Sequence, residues 1–329
     1  MDQNRSLLAI GAPLVDILVF VEEGYLEQHQ LAKGSNEPVT RERLDELVRA
    51  APVQGRRRSP GGSGANVLRG LAHLGWSCTF HGQVGEDQLA QELLADYRAS
   101  SIEPLLIPSS LPTGAVLCCI TPDGERTMRH YPGASGAFSP DNISPAAFVG
   151  KRLLHLEGYN LYNEGVIEEA IRLARTEGLL TSFDLANFAL VEEYHSTIEA
   201  LLELELELVF ANEEEARRLT GLEAASSALW LARRSLCAIV TCAEKGAYIA
   251  LRGDTSALHV GAFVVDHPLD ATGAGDLFTS GFLDGYLRAI SIERAARQGA
   301  LLAAAVVQQQ GAELPQEKWS ELLDQLRLL

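Results

Sequence analysis

The stretch His267–Ile290, HPLDATGAGDLFTSGFLDGYLRAI, joins two kinds of local chemistry. Its first half is turn-forming, with Pro268 followed by Gly273 and Gly275. In its second half Leu277, Phe278, Phe282, Leu283, Tyr286, Leu287 and Ile290 recur at steps of three and four, which predicts a helix with an apolar face. Asp276 therefore stands where a glycine-rich loop becomes a helix. Such a start leaves backbone N–H groups unpaired at the positive end of the helix dipole, which suits an anion. Gly273, Ala274 and Gly275 are small enough for a phosphate to approach those groups closely. A carboxylate beside them can deprotonate a hydroxyl while the N–H groups hold charge developing on a phosphoryl group. An Asp at this position can equally be a plain helix cap. The local residues leave both roles open.

From Lys151 onward strand and helix patterns alternate. LLHLEGY reads as a strand, NEGVIEEAIRLARTEG as a helix ending at Gly178, and LLTSFDLAN as a strand. IEALLELELELVFANEEEARRLTG holds a helix, the strand LVFAN and another helix, and CAIVTCAEKGAYIALRG reads as strand, turn, strand. The alternation predicts an α/β fold, a mostly parallel doubly wound sheet with helices on both faces and ligands at the strands' carboxyl ends. Asn212 and Glu215 fall at such an end, although the acidic run from Glu213 to Glu215 also suits any helix N-terminus.

The chain opens with LLAIGAPLVDILVFV, read as a buried strand, a turn and a second strand carrying Asp16. A carboxylate in an apolar strand must be hydrogen-bonded or functional. It could bridge to neighbouring backbone, or accept from two vicinal hydroxyls of a ribose. EEGYLEQHQLAKGSNEPVT reads as irregular, RERLDELVRAA as a short helix, and Arg56-Arg57-Arg58 as a solvated loop. In PGGSGANVLRGLAHLGWSCTFHGQVGED, Gly61 and Gly62 make a tight turn before a helix that ends at Gly75, and a strand follows. Asn66 lies in that helix's first turn, where its amide would be free for a ligand. The segment lacks the glycine spacing of a dinucleotide fingerprint, so a dehydrogenase reading is rejected. TGAVLCCITPDGERTMRHYPGAS reads as a β-hairpin turning at Pro122-Asp123-Gly124. Arg126 or Arg129 would then contact a transferring phosphate, or simply be solvated at a strand end.

A chain of 329 residues, 47% of them apolar, can bury a large core. Its net charge of −17 argues against nucleic acid or anionic membrane as a partner, since phosphate backbones need clustered Lys and Arg. The 5 cysteines show no metal-ligand spacing, which points to reduced thiols and a cytoplasmic setting. The apolar run from Leu7 to Val21 is broken by Pro13 and Asp16 and is too short to span a bilayer, and no signal-peptide pattern is evident.

DATGAGDLFTSGFL resembles the second signature of the PfkB (ribokinase-like) carbohydrate and nucleoside kinases, departing from it at Ala271. The spacing of Gly61-Gly62, Asn66, Gly75 and Gly85 resembles the first signature, except that Leu68 replaces a small residue. The opening GAPLVD and the hairpin wording TPDGERTM are similar to adenosine-kinase-like members. The resemblance implies a ribokinase-like three-layer fold with a small β lid. The chain would form a single domain over residues 1–329, with the lid made approximately by residues 14–45 and 111–136. It implies ATP and Mg²⁺, and leaves room for a monovalent cation. Asp276 would be the base, with the amides of Gly273, Ala274 and Gly275 as the anion hole. Asp16, Gly61, Gly62, Asn66 and Arg126 would hold the substrate, with Leu68 reshaping its pocket. Asn212, Thr241, Lys245, Gly246, Thr272, Gly273 and Gly275 would hold ATP, with Glu215 acting on Mg²⁺ indirectly. The alanine-rich AARQGALLAAAVVQQQGAE would either wall the adenine pocket or pack closely on the sheet.

The expected activity is ATP-dependent phosphorylation of a primary hydroxyl on a sugar or nucleoside, with an adenosine- or ribose-like substrate favoured. Fructokinase or another sugar kinase is the alternative, and a catalytically silent sugar- or nucleotide-binding regulator is an alternative of another class. The protein would act as a monomer or homodimer.

Overall fold

The computed structural model describes residues 5–329; residues 1–4, the start of the expected domain, lie outside the described residues. The first half of the chain runs β1 (Ser6–Ile10), β2 (Leu14–Phe20), α1 (Glu23–Gln28), β3 (Asn36–Pro38), α2 (Arg41–Ala50), β4 (Arg57–Pro60), α3 (Ser63–His73), β5 (Ser77–Gly85), α4 (Gln88–Ala99), β6 (Ile102–Ser109), β7 (Gly114–Ile120) and β8 (Arg126–Tyr131). After several short turns follow β9 (Leu153–Glu157), α5 (Val166–Glu177), β10 (Leu180–Asp184), α6 (Phe188–Glu193), α7 (His195–Leu202), β11 (Leu206–Asn212), α8 (Glu213–Thr220), α9 (Ala224–Ala232) and β12 (Ser235–Thr241). The chain ends with β13 (Ala247–Leu251), β14 (Leu258–Val260), α10 (Ala274–Leu287), α11 (Ile292–Val306) and α12 (Gln316–Leu328).

Nine strands form one sheet in the order β14-β13-β12-β11-β10-β9-β1-β5-β6, parallel except for the two antiparallel pairings made by β13. Helices cover both faces, because the central strands are apolar on both sides. Leu7 and Ala9 of β1 join a core with α3, α4, α10, α11 and α12, whereas Leu8 and Ile10 join a core with α5, α7, α8 and α9. This is the α/β fold that the alternation predicts.

A second sheet has the order β3-β8-β7-β2-β4. Residues alternate across it as period two requires. Ile17, Val19, Leu117 and Cys119 pack on Leu44 and Leu47 of α2, while Leu14, Asp16, Val116, Met128 and His130 turn to the opposite face and line a cavity.

Two local expectations change, and one left open between two readings gains support for close packing. The segment read as irregular after β2 contains α1 and β3, six and three residues long, too short to display a period. Arg57 and Arg58 belong to β4, an antiparallel partner of β2 that lies outside the expected lid ranges, while Arg56 donates to the Val48 and Ala51 carbonyls at the end of α2. The alanine-rich helix is α11, and its small residues serve close packing. A Cβ on Gly281 of α10 would lie 2.8 Å from the Gln298 backbone, and one on Gly285 would lie 2.7 Å from the Ala295 Cα. Gly281→Val should therefore destabilise the protein by about 1–3 kcal/mol through overpacking, read as a lower urea midpoint at an unchanged slope.

Candidate active site

The loop before α10 takes its shape from Gly273, whose φ of 75° is left-handed and whose Cβ position would lie 2.4 Å from the Ala312 Cβ. Only glycine fits. α10 starts at Ala274 with no side-chain cap, so Asp276 does not do what an N-terminal cap does. Its carboxylate instead turns to α3, accepting from Ser63 Oγ at 2.6 Å and from Asn66 Nδ2 at 2.8 Å. The two helices come this close because a Cβ on Gly70 would collide with Ser280 Oγ at 2.4 Å, and that hydroxyl donates to the Val67 carbonyl. Burial pushes the Asp276 carboxyl up, against the opposing hydrogen bonds from Ser63 and Asn66 and the charge of Arg69.

Asp276 opens onto a cavity of about 370 Å³ at the carboxyl ends of β9, β10, β11 and β12, the position where open α/β sheets bind ligands. Asp16 reaches it from β2. No donor among the described residues bonds the Asp16 carboxylate, and burial pushes it up to about 6 against the charges of Arg126 and Arg69. Gly61 must lack a side chain here, since a Cβ would lie 2.6 Å from Asp16 Oδ2. Gly62 adopts φ 98°, with its Cβ position 2.9 Å from the Ala12 carbonyl.

Two expectations about α3 are corrected. The Asn66 amide is not free for a ligand: its Nδ2 holds Asp276 and its Oδ1 accepts from Arg69 Nη1 at 2.7 Å. Leu68 does not reshape the pocket, because it points the other way and is fully buried in the core.

On the other side of the cavity, Asn212 and Glu215 cap α8 reciprocally. Asn212 Oδ1 accepts from the Glu215 N–H at 2.9 Å, and Glu215 Oε2 accepts from the Asn212 N–H at 2.8 Å. Both still line the cavity together with Thr241. Glu215 is raised by burial and by the nearby charge of Asp184, which is itself raised by burial. Lys245 and Gly246 do not line it. Lys245 is exposed and pairs with Glu213 at 3.2 Å, and Gly246 is required because a Cβ would meet the Val260 carbonyl at 2.0 Å. Thr272 bonds to Asp270 and Arg126. Arg126 also pairs with Asp270, tying β8 to the approach of the glycine loop. Arg129 is turned away, bonding Ser35 and Glu37.

Four residues of the site went unread in the sequence: Ser63, Arg69, Glu157 and Asp184. Glu157 is fully buried and accepts from the Ala12 and Gly64 N–H groups, both at 2.6 Å, which joins the turn after β1 to the first turn of α3. Burial and neighbouring carboxylates push it up to about 7, against those two bonds. The readable signal was a single acidic residue ending each of two apolar strands, LLHLE and LTSFD.

A carboxylate held beside an uncapped helix start at the strand ends defines a phosphotransferase site. The chain belongs to the pfkB family of carbohydrate kinases, whose model matches residues 38–319. It is 26% identical to an adenosine kinase of Schizophyllum commune, over 97% of this chain and 98% of that one. It is 26% identical to a probable fructokinase-4 of Arabidopsis thaliana, over 72% of this chain and 76% of that one. Among solved structures it superposes on an adenosine kinase from Sinorhizobium meliloti with a TM-score of 0.88 and 29% identity, covering 98% of this chain and 99% of that one. The protein is thus a kinase with an alcohol acceptor, of the adenosine-kinase-like branch.

The family implies ATP and, usually, Mg²⁺. The residues fit such an ion: Asp184 and Glu215 are buried carboxyls that both line the cavity, with Asp184 raising the proton affinity of Glu215 and Asp276 that of Asp184. Among the described residues no cluster of acidic, His or Cys side chains is arranged to hold a metal unaided, so the nucleotide's phosphates would complete its shell. The ion would neutralise phosphate charge there.

The two loop glycines can be told apart. Gly273→Ala meets both left-handed strain of about 1–2 kcal/mol and the Ala312 contact, and should lower stability. A Cβ on Gly275 meets nothing within 4 Å. Gly275→Ala should leave stability intact or raise it by up to about 1 kcal/mol. It should still raise the ATP KM if the loop receives a phosphate. Thermal melts and ATP titrations of the two variants check this.

Proposed function

We propose that the protein transfers the γ-phosphoryl group of ATP to the primary 5′-hydroxyl of a nucleoside, with adenosine the favoured acceptor. The observation that carries the reading is Asp16, a carboxylate in an apolar strand that meets the cavity with no donor among the described residues. A ribose 2′,3′-diol supplies two donors to such a group. Beyond Asp16 the cavity wall is apolar at Leu14, Val116, Met128 and Pro132 and aromatic at Tyr162, which suits a purine better than the hydroxyls of a hexose. Polar groups interrupt it at Ser135, at Asn163 and at the pair His130 Nδ1 against Asn36 Oδ1, 3.0 Å apart. The adenosine kinases also align along essentially the full chain, where the fructokinase aligns over about three quarters.

In this reading Asp276 takes the proton of the 5′-hydroxyl as that oxygen attacks the γ-phosphorus in line. The N–H groups of Gly273, Ala274 and Gly275 hold the charge on the equatorial oxygens. Asn212, Glu215 and Thr241 face the phosphates from the α8 side. The second sheet acts as a lid of the one domain, keeping water from the transferring group, with Arg126 at its hinge with the loop. A cytoplasmic location agrees with five buried, unpaired cysteines. The protein would work as a monomer or homodimer.

Asp276→Asn should cut turnover by about 10²–10⁴-fold while sparing ATP binding. In the wild type the base works only when ionised. Because the Asp276 pKa is raised, activity should be lost as pH falls, at a higher pH than an ordinary aspartate would give. A variant with near wild-type kcat would return Asp276 to a structural role.

The acceptor is tested by ATP turnover on adenosine, inosine, ribose and fructose, with and without K⁺. Asp16→Ala should weaken nucleoside binding about ten- to a hundredfold per lost contact and leave ATP affinity unchanged. On the wild type, 2′- and 3′-deoxyadenosine should lose the same factor, and on the variant the deletions should cost little. Turnover of fructose alone would replace the nucleoside reading with a hexose kinase.

A further inference from the structure

The bonds that hold Asp276 do not stop at Asn66. Arg69, one helical turn further along α3, donates through Nη1 to Asn66 Oδ1 at 2.7 Å and through Nη2 to Asp96 of α4 at 2.5 Å. Its guanidinium lies over the ring of Tyr97, 5.8 Å from the centroid, and the residue is only 8% exposed. Arg69 does not line the cavity, so it does not touch a substrate.

Each link in this row has a direction. A carboxamide presents an acceptor at one end and donors at the other, whereas a guanidinium only donates. With Arg69 on its far side, the Asn66 amide must turn its oxygen to Arg69 and its N–H₂ to Asp276. Without Arg69 the amide oxygen has no donor to anchor it, and the contact with Asp276 alone must hold the amide against swinging away from the carboxylate. Stability alone is a weak reason to bury this guanidinium, since apolar side chains of similar volume commonly replace buried ion pairs without loss. What an apolar residue cannot do is orient the amide.

We propose that Arg69, backed by Asp96, is a positioning residue for phosphoryl transfer: it orients the Asn66 amide and through it secures the Asp276 carboxylate in the geometry that takes the hydroxyl proton. The inference rests on Asp276 being the base. A second effect follows from charge. The groups facing Asp276 are Ser63 and Asn66 of α3, Asp16 of β2, Glu157 of β9, Asp184 of β10 and the Tyr159 hydroxyl, of which the ionisable ones all carry or gain negative charge. Arg69 supplies the opposing positive charge that favours the ionised Asp276.

The test compares Arg69→Met and Arg69→Lys with the wild type on ATP and adenosine. Arg69→Met keeps the stem over Tyr97 but leaves Asp96 and the Asn66 oxygen without their donor, so it should fold with a lowered melting temperature. Its kcat should fall about ten- to a hundredfold, as expected for a misplaced reacting group, with both KM values nearly unchanged. The acid limb of its kcat–pH profile should move to higher pH, because the cation opposing burial is gone. Arg69→Lys should return the acid limb towards wild type but not the full kcat, since an ammonium lacks the planar fork that meets Asn66 and Asp96 together. A well-folded Arg69→Met with kcat within twofold of wild type and an unmoved acid limb would overturn the proposal, as would a loss confined to KM. If Arg69→Met does not fold, Arg69→Lys decides alone, and full wild-type kcat in it would overturn the proposal. Asp276→Asn separates the layers: if it abolishes turnover while Arg69→Met is neutral, only the role of Arg69 fails, and if it is itself neutral, the assignment of the base fails with it.

Discussion

Asp16, Glu157, Asp184, Glu215 and Asp276 all reach one cavity, and crowding five carboxylates out of bulk water is the constraint that the surrounding structure answers. Burial disfavours the charged form of each, and neighbouring negative charge adds to the effect. The answers differ in kind. Glu157 is met by two backbone N–H groups, Glu215 by the capping box of α8, Asp276 by a hydroxyl and an amide, and Asp184 by the Ala186 N–H at 2.8 Å. Asp16 alone has no donor among the described residues. A set of acids left this incompletely matched is poorly suited to an empty pocket and well suited to one that receives hydroxyl donors and a metal–phosphate group.

Holding these groups in register requires backbone to approach backbone. β9 and β10 are in parallel register from Leu153 to Glu157 and from Leu180 to Asp184, so Glu157 and Asp184 end side by side. Glycines then bring the remaining walls in. Gly61 and Gly62 let the turn before α3 lie against Asp16 and Ala12, Gly70 brings α3 onto α10, and Gly281 and Gly285 bring α10 onto α11. The position of Asp276 is therefore set by three helices packed closer than ordinary side chains allow. A loop-borne carboxylate would not be fixed as well.

The second sheet answers a different need. Its α2 face is packed with aliphatic side chains, so the sheet keeps its shape without the cavity. Its other face is free to present Leu14, Asp16, Val116, Met128 and His130 to a ligand. Arg126 joins this sheet to the glycine loop through Asp270, which also accepts from the Gly311 N–H at 2.8 Å. The second sheet and the glycine loop are thus joined by the Arg126–Asp270 ion pair.

How much of this was legible follows from the range of each interaction. The strand–helix alternation, the hairpin at Pro122-Asp123-Gly124 and the helix start before Asp276 are local patterns, and the sequence carries them openly. Asp16 was conspicuous because a charge in LVDILVF conflicts with its apolar neighbours. Asn66 was placed correctly on its helix, but its partner Asp276 is 210 residues away, so an amide already engaged looked like one that was free. Glu157 and Asp184 each end a strand in a way that any solvated strand end also shows. Only the parallel register sets them beside each other and beneath Asp276. Lys245 follows a nucleotide-like turn, and it is exposed and pairs with Glu213 at the start of α8. The cations that do bear on the acids are the two arginines, Arg69 within the first glycine segment and Arg126 of β8. Their role comes from helix α4 and from the loop at Asp270, elements whose proximity no local pattern encodes.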